Sequence, residues 1–181
     1  EQITWELLED RSQLERLVSY PVKGLALPYG TYDERVLDSC RACGILYSRS
    51  TKLTDSFQLP ASFLEWHPTC HHNGGLIQKW EAFKKDRVQD KLFYVYGHSY
   101  EFDRDHNWDL ITKFLDIVQA DPNIWVATNM EVYEYIFAWR NLACSVDGDV
   151  LRNVTGKELW VRVGGELVRI EAGELCPAKL V

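Results

Sequence analysis

Long apolar runs and an excess of basic residues are both missing from this sequence. No apolar run approaches the roughly 20 residues that a helix needs to cross a bilayer. The 27 acidic residues outnumber the 20 basic ones, which gives a net charge of −7 at pH 7. A nucleic-acid binder usually presents a basic patch on its surface. The two absences predict that neither a membrane nor a nucleic acid is a partner of this protein.

The sequence also lacks the second cysteine pair that a four-cysteine zinc site requires. Its five cysteines are an odd number and lie mostly inside apolar runs. Cys40 and Cys43 form a C-x-x-C pair at the end of a predicted helix, whereas a thioredoxin-type pair begins its helix. We therefore expect structural cysteines in the core. These free thiols, with the lack of a visible signal peptide after Glu1, slightly favour the cytoplasm.

Predicted strands and helices alternate along most of the chain. The strands are expected at residues 22–27, 45–48, 63–66, 91–96 and 123–127. The helices are expected at residues 4–19, 32–43, 76–86, 108–119 and 131–142. Such alternation is typical of βαβ units, so it predicts an α/β domain over residues 1–142 with a parallel sheet or barrel.

The pattern changes near Ala143. From there the chain shows short alternating strands separated by Asp-Gly and Gly-Gly turns. This pattern predicts a small antiparallel β appendage over residues 143–181. A chain of 181 residues is long enough for one domain with a substantial core and an appendage of this size.

Polar and aromatic side chains follow four of the five predicted strands. They occur in Pro28-Tyr29-Gly30, in the run HPTCHH at residues 67–72, in GHSYEF at residues 97–102, and in Thr128-Asn129. The carboxyl ends of parallel strands meet on one face of a sheet or barrel, where α/β proteins collect their functional groups. The sequence therefore predicts one shared cleft lined by these four segments.

Each of these residues also has a purely structural interpretation. His98 could be a helix-capping or hydrogen-bonded structural histidine, and Glu101 could be solvated or could orient His98. Tyr29 could be a simple turn residue. Trp66 could belong to the core or could be a platform on which a sugar stacks. The spacing of His67, His71 and His72 could hold a metal, but a polar loop with hydrogen-bonded histidines is the favoured interpretation.

The order and spacing of two of these segments resemble the NodB-type polysaccharide deacetylase family over about residues 1–142. The run LALPYGTYDERVLDSCRACGILYSRS is similar to the third motif of that family, which ends in Pro-Phe/Tyr-Gly. The run LFYVYGHSYEFD is similar to the fifth motif, a histidine just after an apolar strand. The resemblance implies a metal-dependent hydrolase on a distorted (β/α)7 barrel. This chain would then supply a partial barrel, strands three to seven.

The resemblance implies a role for each matching residue. His98 would be the general acid that protonates the leaving group, and the backbone N–H of Tyr29 would help to hold the oxyanion. Trp66 would line the acetyl pocket, and Glu101 is a further candidate for binding substrate. The implied substrate is an acetylated carbohydrate. The implied cofactor is a divalent metal, zinc or similar, that activates a water.

Two departures from the family pattern leave the assignment open. Ala26 stands where the third motif usually opens with Arg, and the Asp-Asp and His-x-x-x-His motifs that supply the base and the metal ligands are absent. We expect them upstream of Glu1, on a separate N-terminal chain, or replaced by a homo-oligomer contact. One alternative is a non-catalytic carbohydrate-binding relic, in which this chain alone would bind no metal. The other is an amidohydrolase that uses the local histidines and would bind a metal through His67, His71 and His72.

Overall fold

The computed structural model describes residues 1–178, in two compact units that divide between Val126 and Ala127. Its helices are Gln2–Val18 (α1), Glu34–Ala42 (α2), Leu76–Lys85 (α3), Ser99–Asp105 (α4), Trp108–Gln119 (α5) and Asn129–Arg140 (α6). Its strands are Gly24–Ala26 (β1), Tyr47–Arg49 (β2), Cys70–His71 (β3), Val95–Tyr96 (β4), Ala143–Cys144 (β5), Val150–Arg152 (β6), Leu159–Val163 (β7), Glu166–Ile170 (β8) and Leu175–Pro177 (β9). Within the described residues, no helix combines the length and the apolar character that crossing a bilayer requires.

The strands of the first unit pair in parallel and in chain order. Strand β1 pairs with β2, and β3 pairs with β4 with His71 opposite Tyr96. A single parallel bridge between Arg49 and Trp66 extends the pairing from β2 to the segment that leads into β3. This is a mixed α/β unit with the parallel pairing that the alternation predicts. The partial (β/α)7 barrel stays a prediction.

Two of the predicted strands are wrong. Residues 63–66 form a 3₁₀ turn at Phe63–Glu65, and only Trp66 pairs. Pro68 follows at once, and because proline has no N–H it cannot extend a ladder. Residues 123–127 form no strand in the part of the chain that the structure describes. There the carboxylate and the carbonyl of Asp121 accept the N–H groups of the next residues, which closes a turn instead.

The expectation of cysteines in the core is confirmed for four of the five, whereas Cys144 is exposed. Cys40, Cys43 and Cys70 all lie in the core of the first unit, and helix α2 ends just before Cys43. Burial raises the pKa of the Cys40 thiol, and it raises the pKa of Cys70 to about 11. A thiol with such a pKa is almost wholly protonated at neutral pH, so these cysteines fit packing better than redox chemistry.

The second unit contains the predicted antiparallel strands together with α6. Strands β5, β6 and β9 form one sheet, and β7 and β8 form a hairpin. The unit begins at Ala127 and includes α6, whereas the predicted boundary lies after residue 142. Helix α6 contacts the hairpin region: Trp160 N–H donates to the Tyr135 hydroxyl, and Lys157, just before β7, pairs with Glu134. Of the appendage predicted over residues 143–181, residues 179–181 lie outside the described residues.

Candidate functional site

The predicted site residues of the first unit follow the carboxyl ends of its parallel strands. Tyr29 lies three residues after β1, His71 ends β3, and His98 lies two residues after β4. The fourth predicted segment has a different setting, because Thr128 caps α6 in the second unit and follows no strand. The described structure therefore assembles its site from the tips of β3 and β4.

Helix α4, which the sequence analysis missed, places Glu101 under His98. The helix begins just after His98, and its third residue, Glu101, turns back so that Oε2 accepts the His98 backbone N–H at 2.9 Å. The same oxygen lies 3.3 Å from His98 Nδ1. The Glu101 side chain is only 12% exposed, whereas that of His98 is 50% exposed. The arrangement favours Glu101 as the group that orients His98 over the solvated alternative. An acidic residue three positions after a helix start was the signal available in the sequence.

His71 shares the Glu101 carboxylate with His98. Its Nε2 lies 3.0 Å from Glu101 Oε2, and the backbone N–H of Asn73 points at its Nδ1 at 3.3 Å. Since Nδ1 accepts a hydrogen bond, the neutral ring carries its proton on Nε2 and donates it to the carboxylate. Burial acts to raise the pKa of Glu101, but the His98 N–H and the nearby His71 ring outweigh burial and hold this pKa below its usual range.

His72 is the most deeply buried member of this group. Only 2% of its side chain is exposed, and its Nδ1 lies 3.8 Å from Glu101 Oε2. Its ring lies between the rings of His71 and Phe102, at centroid distances of 4.2 and 4.3 Å. Burial lowers the pKa of His72, and the His71 ring acts in the same direction. The ring is therefore held neutral near pH 7.

Gly97 makes room for this ring. A Cβ atom at Gly97 would lie 1.8 Å from His72 Nδ1 and 2.6 Å from Cε1. Sequence reasoning treats Gly97 only as the residue that breaks the strand, because the contact joins residues 25 positions apart in the chain. The glycine between β4 and His98 is therefore part of the site: it lets a buried imidazole approach the backbone.

His67 lies apart from the other predicted metal ligands. Its Nδ1 is 2.5 Å from Oγ of Ser50, a residue the sequence analysis did not single out. Burial lowers the pKa of His67, and Lys52 adds to that effect. Ser50 is fully buried although His67 is not, so the Ser50 hydroxyl fits a structural hydrogen bond better than a nucleophile with His67 as its base. The structure thus divides the three predicted histidines into His67 on one side and the pair His71 and His72 on the other.

Trp66 and Tyr29 have opposite environments. Trp66 is 1% exposed and packs edge-to-face on Phe63 and Tyr47, so its burial supports the core alternative over a sugar platform. It borders an open cavity of about 400 Å³ that His67 and Tyr94 also line. Tyr29 is 94% exposed with φ 56° and ψ 7°, a left-handed conformation that is costly for a residue other than glycine.

The cluster of His71, His72 and Glu101 can do two kinds of chemistry. Each residue offers one ligand atom, and these atoms all lie within 4.8 Å of one another, which makes the group a candidate metal site. The same carboxylate also holds His98, whose exposure suits proton exchange with a bound molecule. Metal binding and acid–base chemistry are thus both open to one group of residues.

No match to this chain was found among protein-family models, curated proteins or solved structures. The resemblance to NodB-type deacetylases therefore stays a prediction, and the functional assignment depends on the geometry of the residues.

Proposed function

We propose that this chain provides the general acid of a hydrolase that removes acetyl groups from a carbohydrate. The observation that carries the proposal is the half-exposed His98 ring held on the nearly buried Glu101 carboxylate, at the carboxyl end of a parallel strand. Active sites of α/β enzymes collect at such strand ends. The same contacts form a capping box at the start of α4, and the half-exposed ring that this box holds in place is what the proposal uses.

The hydrogen bond determines which nitrogen of His98 can react. Glu101 Oε2 occupies Nδ1, so Nε2 is the ring nitrogen left to exchange a proton with a substrate. In deacetylation the bond between the acetyl carbon and the sugar nitrogen or oxygen breaks, and His98 Nε2–H would protonate the departing atom. Glu101 would act as a positioning residue, because it holds the ring through both the backbone N–H and Nδ1.

Two other parts of the reaction follow from the resemblance. The backbone N–H of Tyr29 would help to hold the oxyanion, and the exposure of this strained turn is compatible with a bound substrate. When bound, a divalent metal would supply the activated water. The resemblance assigns the metal ligands and the base to motifs that this sequence lacks, so a partner chain would have to supply them. The five free cysteines favour a reducing compartment for the protein.

A second candidate function is an amidohydrolase that uses the local histidines. The specific observation in its favour is the convergence of His71, His72 and Glu101 on one point. This candidate predicts hydrolysis of simple amides by the described chain without further sequence. The non-catalytic relic, by contrast, predicts saccharide binding that does not respond to chelators.

Hydrolysis of acetylated oligosaccharides by the complete natural protein tests the deacetylase proposal. We expect His98→Ala to lower kcat by ~10²-fold or more with the metal content unchanged. His106→Asn is the matched control, because His106 ends the same helix in a left-handed conformation that asparagine tolerates. Glu101→Gln should lower kcat and change its pH profile, since the ring loses its charged partner. Equal turnover of the wild type and His98→Ala would overturn the proposal.

A further inference from the structure

We propose that His71, His72 and Glu101 bind one divalent cation of the zinc type, with a fourth position open. This inference goes beyond the deacetylase proposal, because the metal that the family resemblance implies would use other ligands. The ligand atoms are contributed by the end of β3 and by helix α4, two elements that the β3–β4 pairing and the capping of α4 hold together. His72 lies one residue past β3, in a turn, but its backbone N–H donates to the Tyr96 carbonyl at 3.0 Å, so it too is held by the pairing with β4.

The strongest evidence for a missing ligand is the buried ring of His72. Neither of its nitrogens is in hydrogen-bonding geometry with any described group, although the ring is 2% exposed. Buried polar atoms in folded proteins are almost always paired, and an unpaired one points to an ion or a water. The ring cannot turn to find a partner, because His71 and Phe102 flank it and Gly97 lies against its edge.

Two of the three distances between ligand atoms lie near the value of a tetrahedral site, and the third, between His71 and His72, is within 4.8 Å. Bonds of about 2.0–2.1 Å place the ligand atoms of tetrahedral zinc about 3.3–3.4 Å apart. Glu101 Oε2 lies 3.0 Å from His71 Nε2 and 3.8 Å from His72 Nδ1, one distance on each side of this value. Cation binding would thus lengthen the distance from Glu101 Oε2 to His71 Nε2 and shorten that to His72 Nδ1, each by about half an ångström.

Binding at His71 Nε2 has a defined consequence for its proton. The neutral ring now carries the proton on Nε2, so the cation would replace it there and the proton would move to Nδ1. The Asn73 N–H contact to Nδ1 then opens, which is a small loss because that contact is 3.3 Å long. The Glu101 carboxylate would still accept the His98 N–H, so α4 would keep its cap.

The donor set defines the class of cation. Two imidazole nitrogens and one carboxylate oxygen suit Zn²⁺, and also Co²⁺ or Ni²⁺, whereas Mg²⁺ and Ca²⁺ prefer oxygen ligands alone. Three protein ligands with an open position are typical of zinc sites that hold a water or a substrate group. The half-exposed His98 lies on the same carboxylate and could face that position.

The test is a titration of the metal-free protein with Co²⁺, followed by visible absorption, and with Zn²⁺, followed by calorimetry. We expect the wild type to bind one equivalent more than Glu101→Gln, His71→Gln and His72→Gln do. Counting this difference excludes any metal held elsewhere in the protein. Each substitution should weaken binding by more than about 10²-fold, because outer-shell partners of metals already contribute 10–100-fold.

His67→Gln and His106→Asn are the matched controls, since both histidines lie outside the cluster, and both should retain the full equivalent. If His72→Gln fails to fold, Glu101→Gln and His71→Gln decide the outcome. Equal binding by the wild type and Glu101→Gln, or loss of binding in His67→Gln, would overturn the inference. His98→Ala separates the two proposals: it should retain the cation while losing turnover, so either proposal can fail alone.

Discussion

Substitution of Gly97 by alanine tests the packing on which the site depends. The new Cβ would lie 1.8 Å from His72 Nδ1, about half of an ordinary contact distance, and His71 and Phe102 prevent the ring from moving aside. Overpacking of a core typically costs 1–3 kcal/mol, and this overlap belongs at the upper end of that range. Gly97 does not have a positive φ, so alanine there stabilises the folded state by about 0.4–1 kcal/mol, because it lowers the conformational entropy of the unfolded chain.

We therefore expect Gly97→Ala to lower the free energy of unfolding by about 2–3 kcal/mol. With an m-value of about 2 kcal/mol/M, the urea midpoint should fall by about 1–1.5 M. Unfolding should be followed by both tryptophan fluorescence and far-UV circular dichroism, because two units need not unfold together. Gly156→Ala is the control, since nothing lies within 4 Å of its added Cβ, and it should change the free energy by less than about 0.5 kcal/mol.

The double variant Gly97→Ala/His72→Ala identifies the cause. Once the ring is removed, the alanine at residue 97 meets no obstacle, so its cost should almost vanish in that background. The two sites should therefore couple by at least about 1 kcal/mol. A cost below about 0.5 kcal/mol in the wild-type background, or the same cost in both backgrounds, would refute the packing proposed for Gly97.

Two further predictions concern stability. The pKa values of His67 and His72 are lowered, so near pH 6.5 the unfolded chain binds protons that the folded chain does not. Stability should be flat only between about pH 7.5 and 8 and should fall between about pH 6.5 and 5. Above about pH 8 it should fall again, because the folded chain keeps the Cys40 and Cys70 thiols protonated where the unfolded thiols ionise. His72→Gln should reduce the acid-side slope in urea midpoints, and a flat profile of the wild type below about pH 7.5 would contradict the assignment. Asn153 is fully buried, and its side chain donates to the Lys157 carbonyl at 2.6 Å and accepts from the Thr155 hydroxyl. Asn153→Ala should therefore lower the free energy of unfolding by about 2–4 kcal/mol, measured by thermal unfolding. A loss below about 1 kcal/mol would show that water replaces these hydrogen bonds.

Local signals in the sequence were enough for five of the helices and for the C-terminal hairpin, but they missed α4 and predicted two strands that do not form. The helix at residues 108–119 has the bounds that its apolar spacing predicts, and the β7–β8 hairpin forms around the predicted Gly-Gly turn. Cys40, Cys43, Cys70 and Cys176 are buried, as their place within apolar runs predicts, whereas Cys144 is exposed. For residues 123–127 the local signal was misleading. The apolar run predicts a strand, but Asp121 accepts the backbone N–H groups of Asn123 and Ile124, and these hydrogen bonds form a turn.

What the sequence alone determined about the site is its chemistry: histidines and an acid at the tips of two strands, with His98 and Glu101 three residues apart. What only the tertiary structure decided is which of these groups meet. The β3–β4 pairing brings His71 and His72 to Glu101, whereas His67 is hydrogen-bonded to Ser50 and lies outside this cluster. The burial of His72 against Gly97 is likewise invisible in the sequence, because contacts between distant residues depend on register and packing, which no local pattern encodes.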